Sequence, residues 1–192
     1  MIPPAVLAAS LRTSAPFPGG PAFDLLCQAI ANATVTWLPA GVTLTGVTTG
    51  VVGAGTVTGT LAFAGTPPLV LGAMGALHGP NAPALATTLA AGLTAGLAGL
   101  PYAGVSVGVG TGTDVSRVVS ANIPALSLAL RTAHSAACAV QGGTGSTVPA
   151  FYDALAAGIA TVVITGTGIG AVAPTGPLGP SSSVGVSTSV PV

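Results

Sequence analysis

Lysine and glutamate are absent from this chain, and charge of either sign is scarce. The charged residues are Arg12, Arg117 and Arg131 with Asp24, Asp114 and Asp153, so the formal net charge is zero. They make up 3% of the 192 residues, where a globular chain ordinarily carries about 25%. Neutralising phosphates needs clustered Lys or Arg, so a nucleic-acid footprint is excluded, and without lysine there is no Walker-type phosphate loop. Two cysteines, Cys27 and Cys138, stand far apart and outside any CxxC pair, which argues against a zinc site. They could close a disulfide or pack as two buried thiols, and the apolar, small-residue surroundings favour the thiols. Three scattered aspartates with His78 and His134 give no metal-ligand spacing, and no cofactor is expected.

A long apolar run is also missing. The nearest to a membrane span is Leu85 to Val109, but Gly92, Gly96, Gly99 and Pro101 interrupt it and no basic residue flanks it nearby. A membrane protein is therefore an alternative and not the first reading. The N-terminus lacks a basic region and has Pro3 and Pro4 where a signal peptide would begin its apolar core, so targeting is not expected.

What is present is 29 glycines, 17 prolines and long stretches of Ala, Val, Leu and Thr. From Leu25 to Thr113 there is no charged residue. A soluble monomer coats itself with charge, so lipid, other copies or a partner must cover this stretch. Residues 1–20 read as an extended N-terminal arm lying on a neighbour. Pro21 opens a helix in which Phe23, Leu26 and Ile30 recur at helical spacing, with an end expected between Asn32 and Trp37 because of Thr34-Val35-Thr36 and Pro39. Two strands with a Thr face follow, GVTLTGVTTG and GTVTGTLAF, joined by a Gly-rich turn at Val51–Gly55. Residues 66–83 form a loop or short helical segment. Pro83 starts a helix with Leu85, Leu89, Leu93 and Leu97 stacked four apart, where Ala and Gly would let a neighbour approach closely. Tyr102 to Gly110 reads as a strand. Asp114 is expected to cap a third helix broken at Pro124, with Arg117 as its i,i+3 ion pair. A fourth helix begins at Pro149, and VGVSTSVPV is a last edge strand.

An internal repeat follows. Phe23 to Thr36 lines up without a gap on Tyr152 to Thr165, and Leu26, Ile30 and GVTLTG line up more weakly on Leu89, Leu93 and GVSVGV. The unit is a short helix feeding a Thr/Gly strand. The fold class is thus α+β, short helices alternating with Thr/Gly-rich antiparallel strands. The chain divides into the arm 1–20, uncharged helix-strand units over 21–113, and a helical segment plus second unit over 114–192.

Motifs that could carry chemistry fail on context. Gly104-Val105-Ser106-Val107-Gly108 matches the G-x-S-x-G nucleophile elbow, and Asp114 and His134 follow in triad order. The elbow needs a strand turning into a helix, whereas Ser106 lies inside an alternating strand pattern. The run Val162 to Ala171 resembles a dinucleotide fingerprint, but Pro174, Pro177 and Pro180 exclude the required helix and no acid follows Asp153. Asn32-Ala33-Thr34 is a glycosylation sequon only in a secreted chain. His78 reads as a loop residue and His134 as a helix-face residue. No catalytic, cofactor-binding or metal residue is assigned, and an enzyme is not expected.

The neutral, lysine-free Gly/Ala/Thr/Val composition, with the repeated unit PAFDLLCQAIANATVTWL…TLTGVTTG and PAFYDALAAGIATVVITGTG, resembles virion structural proteins of tailed bacteriophages. That resemblance implies a capsid, neck, tail or baseplate component and carries over no functional residue. The expected function is a non-enzymatic, self-assembling structural protein located in the virion. Its partners would be copies of itself and other structural subunits, with no nucleic-acid contact and no membrane. A subunit of a cellular or extracellular filament, and an integral membrane or pore-forming protein, are the alternatives. On this reading Leu44→Asp or Val57→Asp abolishes assembly.

Overall fold

The computed structural model describes residues 2–16, 19–74, 81–140 and 149–192, the side chains of 137–140 and 149–150 excepted. The expected α+β class is the one found: six helices accompany a four-strand antiparallel sheet. The elements follow the order α1 (Pro4–Thr13), α2 (Pro21–Gly41), β1 (Val42–Ala62), α3 (Pro67–Ala73), α4 (Ala82–Gly96), β2 (Leu100–Ala121), α5 (Ile123–Val140), α6 (Pro149–Ile164), β3 (Thr167–Pro174) and β4 (Ser182–Pro191). A helix pair followed by a long strand thus occurs three times, the third strand being divided into β3 and β4.

The pairing makes these three units nearly equivalent. β1 and β2 run antiparallel along their whole length, from Val42 opposite Ala121 to Leu61 opposite Leu100. β3 lies between the second half of β1 and the second half of β2. β4 lies between the first half of β1 and the first half of β2. Counting each half of β1 and β2 as one stave, six staves close a barrel in which every first half touches only second halves of the other strands. Each long strand climbs one wall, crosses the closed end and descends the opposite wall. The helices obey the same cyclic rule. They pair within units as α1–α2, α3–α4 and α5–α6, and between units as α1 on α4, α3 on α6 and α5 on α2. The chain is a single-chain pseudo-trimer.

The crossing explains why one expected turn is absent. Val51–Gly55 does not separate two strands; β1 is continuous through it, with only a register shift at Val51/Val52. Three strands must pass close together at the closed end. Gly53 has φ 156° and Gly108 has φ 94°, conformations open to glycine, and a Cβ on Gly53 would stand 3.2 Å from Gly110 Cα. The segment between β3 and β4 crosses at the same level: Thr175 N–H donates to Ala54 and Gly179 N–H to Val52, while Val52 N–H donates to Ser181. Glycine here permits a crossing instead of a reversal.

Several other expectations are corrected. The arm expected over residues 1–20 contains α1, whose Leu7 and Leu11 are buried against α4. There Gly92 and Gly96 supply the close approach expected of that helix; a Cβ on Gly92 would reach within 2.8 Å of Leu11 Cα. α2 does not stop between Asn32 and Trp37 but reaches Gly41, with Pro39 in its last turn. Burial of Thr34, Val35, Trp37 and Leu38 outweighs β-branched propensities of a few tenths of a kcal/mol each. Asp114 caps nothing, because it lies within β2. The cap of α5 is Asn122, whose Oδ1 accepts from Ala125 N–H at 3.2 Å. Residues three apart on a strand face opposite sides, so Asp114 points inward, Arg117 outward, and no ion pair joins them. The helix expected from Pro149 runs on through Ile164. β4 is not an edge, since it pairs on both sides.

The helix-strand repeat exists as an architectural unit, but its gapless register does not hold. The helices that lead into the strands have 21, 15 and 16 residues, so alignment from their starts slips before the strands begin. Leu44 and Val57 are fully buried inside the barrel, so Asp at either position would prevent folding and would not report on assembly. His78 lies outside the described residues, as does the side chain of Cys138. Cys27 is a buried free thiol.

Candidate functional site

Alternation along each stave sorts the side chains into an inner and an outer set. The inner set near the helices is apolar: Val42, Leu44, Leu61, Leu100 and Val118. Further along the lumen it becomes polar, with Thr48, Ser106, Asp114, Ser116, Ser187 and Ser189 all buried.

Asp114 is the centre of this polar plug. Its carboxylate is 0% exposed and accepts three hydroxyl hydrogen bonds. Tyr102 and Ser116 donate to Oδ2 at 2.7 and 2.6 Å, and Ser187 donates to Oδ1 at 2.5 Å. Ser116 and Ser187 are 3.3 Å apart, and Thr48 pairs with Ser106 at 3.0 Å. These donors come from three of the staves, which the carboxylate joins across the lumen. Burial first, and the Asp114 acceptor second, push the Tyr102 phenol well above its ordinary pKa. Gly46 makes room for the cluster: a Cβ there would fall 2.8 Å from Asp114 Oδ1 and closer still to the Ser116 and Ser187 hydroxyls. Ser189 Oγ is buried without a partner.

The triad order Ser106, Asp114, His134 does not correspond to a constellation. Ser106 and Asp114 are held in the lumen, whereas His134 is on α5, where its Nδ1 pairs with the Tyr152 hydroxyl. The run Val162 to Ala171 is a helix end followed by a strand, the reverse of the strand-then-helix order that presents amides to a pyrophosphate. Asn32 lies inside α2, and Thr34 of its sequon is fully buried.

The outer set is where sequence reasoning went least far. One register row crosses every stave: Thr60 pairs with Ile169, Ile169 with Val115, Val115 with Val47, Val47 with Val186, Val186 with Val107, and Val107 with Ala54. Five of these are large aliphatics with high exposure: Ile169 75%, Val115 61%, Val47 54%, Val186 63% and Val107 66%. They form a continuous aliphatic line over five adjacent staves; on the sixth, the second half of β1, the row starts at Thr60 and returns at Ala54, six residues away. Period-two alternation showed that each strand had a Thr/Val face, but no local signal placed five such residues from different strands in one line.

Charge is allocated consistently with this wall. Arg12 pairs with Asp24 at 2.8 Å and Arg131 with Asp153 at 3.1 Å, both on the helices. Asp114 is sealed in the lumen, and Arg117 is the one charge on the outer wall. Among the described residues no cluster of His, Cys, Asp and Glu could hold a metal, and no helix is long and apolar enough to cross a membrane. No protein-family model, curated protein or solved structure matches the chain.

Proposed function

We propose that this protein is a non-enzymatic structural subunit that assembles with further copies and with other structural proteins into a larger particle, the virion of a tailed bacteriophage. The observation that carries this reading is the outer wall of the barrel, an aliphatic line over five staves with one charge beside it, around a lumen whose polar plug is sealed. Contiguous exposed apolar surface of more than a few hundred Å² marks an interaction site, and interface cores are depleted in charge. The lumen carboxylate is already bonded to three hydroxyls, which supports a structural role for it. The resemblance of the neutral, lysine-free composition to phage virion proteins supports the choice of particle. The same nearly uncharged wall also favours a second reading, a membrane-inserting protein.

Native mass by light scattering with negative-stain microscopy, in detergent-free buffer, tests the first reading. Rings, tubes or particles are expected. A monomer of 17.9 kDa at all concentrations refutes self-assembly. Recovery of the chain from purified phage particles, together with capsid and tail proteins, tests the virion assignment.

A further inference from the structure

We infer that β4 is a detachable stave: the barrel opens by releasing β4 from the first halves of β1 and β2, while the other five staves stay paired. The inference does not rest on the assembly reading above. β3 is the stave to compare, because β3 and β4 have ladders of equal length, each lying between one half of β1 and one half of β2. What separates them is the inward face. Every other stave puts a large side chain into the core: Leu44 and Leu61 from the two halves of β1, Tyr102 and Val118 from those of β2, and Val172 from β3. The inward positions of β4 are Ser183, Gly185, Ser187, Ser189 and Pro191, and only Pro191 among them buries an apolar side chain. The aliphatics of β4 face the other way, with Val184, Val186, Val190 and Val192 all exposed. Burial of apolar area is what ties a strand to a core. By its own side chains, β4 has the least of it to lose.

The polar contacts of β4 are replaceable by water. Ser187 donates to Asp114 Oδ1 and lies beside the Ser116 hydroxyl. Ser189 Oγ is buried without a partner, so release costs it nothing and hydrates it. Water entering the gap supplies Asp114 with a donor in place of Ser187, and the carboxylate is not left unpaired. The ladder amides exchange strand partners for water in the same way, at small net cost per bond.

Attachment to the chain completes the contrast. β3 follows directly on α6, whose Leu155, Ile159, Val162 and Val163 are buried, so it cannot leave without pulling on that helix. β4 follows the outlying segment 175–181, which carries Pro177 and Pro180. Thr175 and Gly179 N–H donate to Ala54 and Val52, and Val52 N–H donates to Ser181. These bonds hold the hinge on the closed end while β4 swings out. Release leaves two unpaired strand edges, the first halves of β1 and β2, and unpaired edges are templates for a strand of another chain.

Native-state hydrogen exchange of the full-length wild type tests this, read by mass spectrometry at several guanidinium concentrations below the unfolding midpoint. Peptides from β4 and β3 are compared with the second halves of β1 and β2, neither of which pairs with β4. Amides of β4 are expected to exchange about a hundredfold faster than those second halves, at a rate nearly independent of guanidinium, since a local opening exposes little surface. The second halves should follow the full denaturant slope of global unfolding. If β4 shares their rate and slope, the barrel opens only as a whole and the inference is overturned. If β3 exchanges as fast as β4, the choice of stave is wrong.

Discussion

Replacing Asp114 by Ala removes the one acceptor that the lumen hydroxyls share, and the cost can be worked from the bonds lost. Tyr102 loses the acceptor at 2.7 Å, with the Ser116 hydroxyl as its other hydrogen-bonding neighbour. Ser116 and Ser187 lose theirs but keep each other at 3.3 Å. A buried donor left without a partner costs about 1–3 kcal/mol. Tyr102 should therefore incur most of that amount and each of the two serines a fraction of it, for a total of about 2–5 kcal/mol. Asp114→Asn keeps one oxygen as acceptor and is expected to cost less than half as much. Tyr102→Phe should cost about 1.5–3 kcal/mol, since its bond is to a carboxylate. A double-mutant cycle between Tyr102→Phe and Asp114→Ala should then be strongly non-additive, because both remove the same bond. Guanidinium unfolding followed by circular dichroism reads these values as shifts in midpoint at constant slope. The pH profile adds a sign. A phenol whose folded pKa lies above its unfolded value of about 10 contributes stability below pH 10 that is lost as the pH rises further. Tyr102→Phe should flatten that alkaline decline. If Asp114→Ala costs less than about 0.5 kcal/mol, or adds to Tyr102→Phe without coupling, the carboxylate is not the keystone of the lumen.

Three further outcomes follow from the fold. Leu44→Asp and Val57→Asp bury an unpaired carboxylate and should each cost more than about 4 kcal/mol. Loss of the native circular dichroism spectrum checks this, and a folded protein of either kind would contradict the placement of these residues in the barrel. Cys27 should resist iodoacetamide at pH 8 in the native state and react fully in guanidinium. Its burial pushes the thiol up to about 11, although nearby Arg12 works in the other direction; rapid native labelling would refute its placement. The Ser127 hydroxyl, donating at 2.5 Å, holds Asp153 below the usual carboxylate range, with Arg131 assisting. The stability this lends is present above the unfolded value of about 3.9 and is lost as the pH falls through the folded one. Asp153→Asn should therefore lower the melting temperature slightly at pH 7 and less at an acid pH below the unfolded value. An equal effect at both pH values would exclude the linkage.

The parts of this structure governed by local rules could be read from the residues. Pro21 and Pro83 open helices because a first-turn proline lacks only an N–H that has no partner there anyway. The leucine row ending at Leu89, Leu93 and Leu97 is buried as its spacing of four requires. Alternation in GVTLTG and YAGVSVGVG marks strands, and the scarcity of charge marks a nearly uncharged wall. Asn122, two residues before Pro124, is as good a cap candidate as Asp114 by local preference, and only the fold separates them. Closure was beyond such reading. Whether Val51–Gly55 reverses or crosses depends on Gly110 and residues 175–181, which reach it only in the folded barrel. Whether Asp114 faces water or three hydroxyls depends on Tyr102 and Ser187 from other staves.

Composition and periodicity by themselves determined that the chain is α+β, that its strands carry a Thr/Val face and that its surface is nearly uncharged. Only the tertiary structure decided that three such units close on themselves, that the chain's one buried carboxylate binds the staves together, and that Ile169, Val115, Val47, Val186 and Val107 fall in one line. The physical reason is range. Helix starts and strand faces are set by neighbours a few residues away, whereas the aliphatic line and the lumen are set by the register between strands far apart in the chain, and a one-residue slip would exchange the two faces.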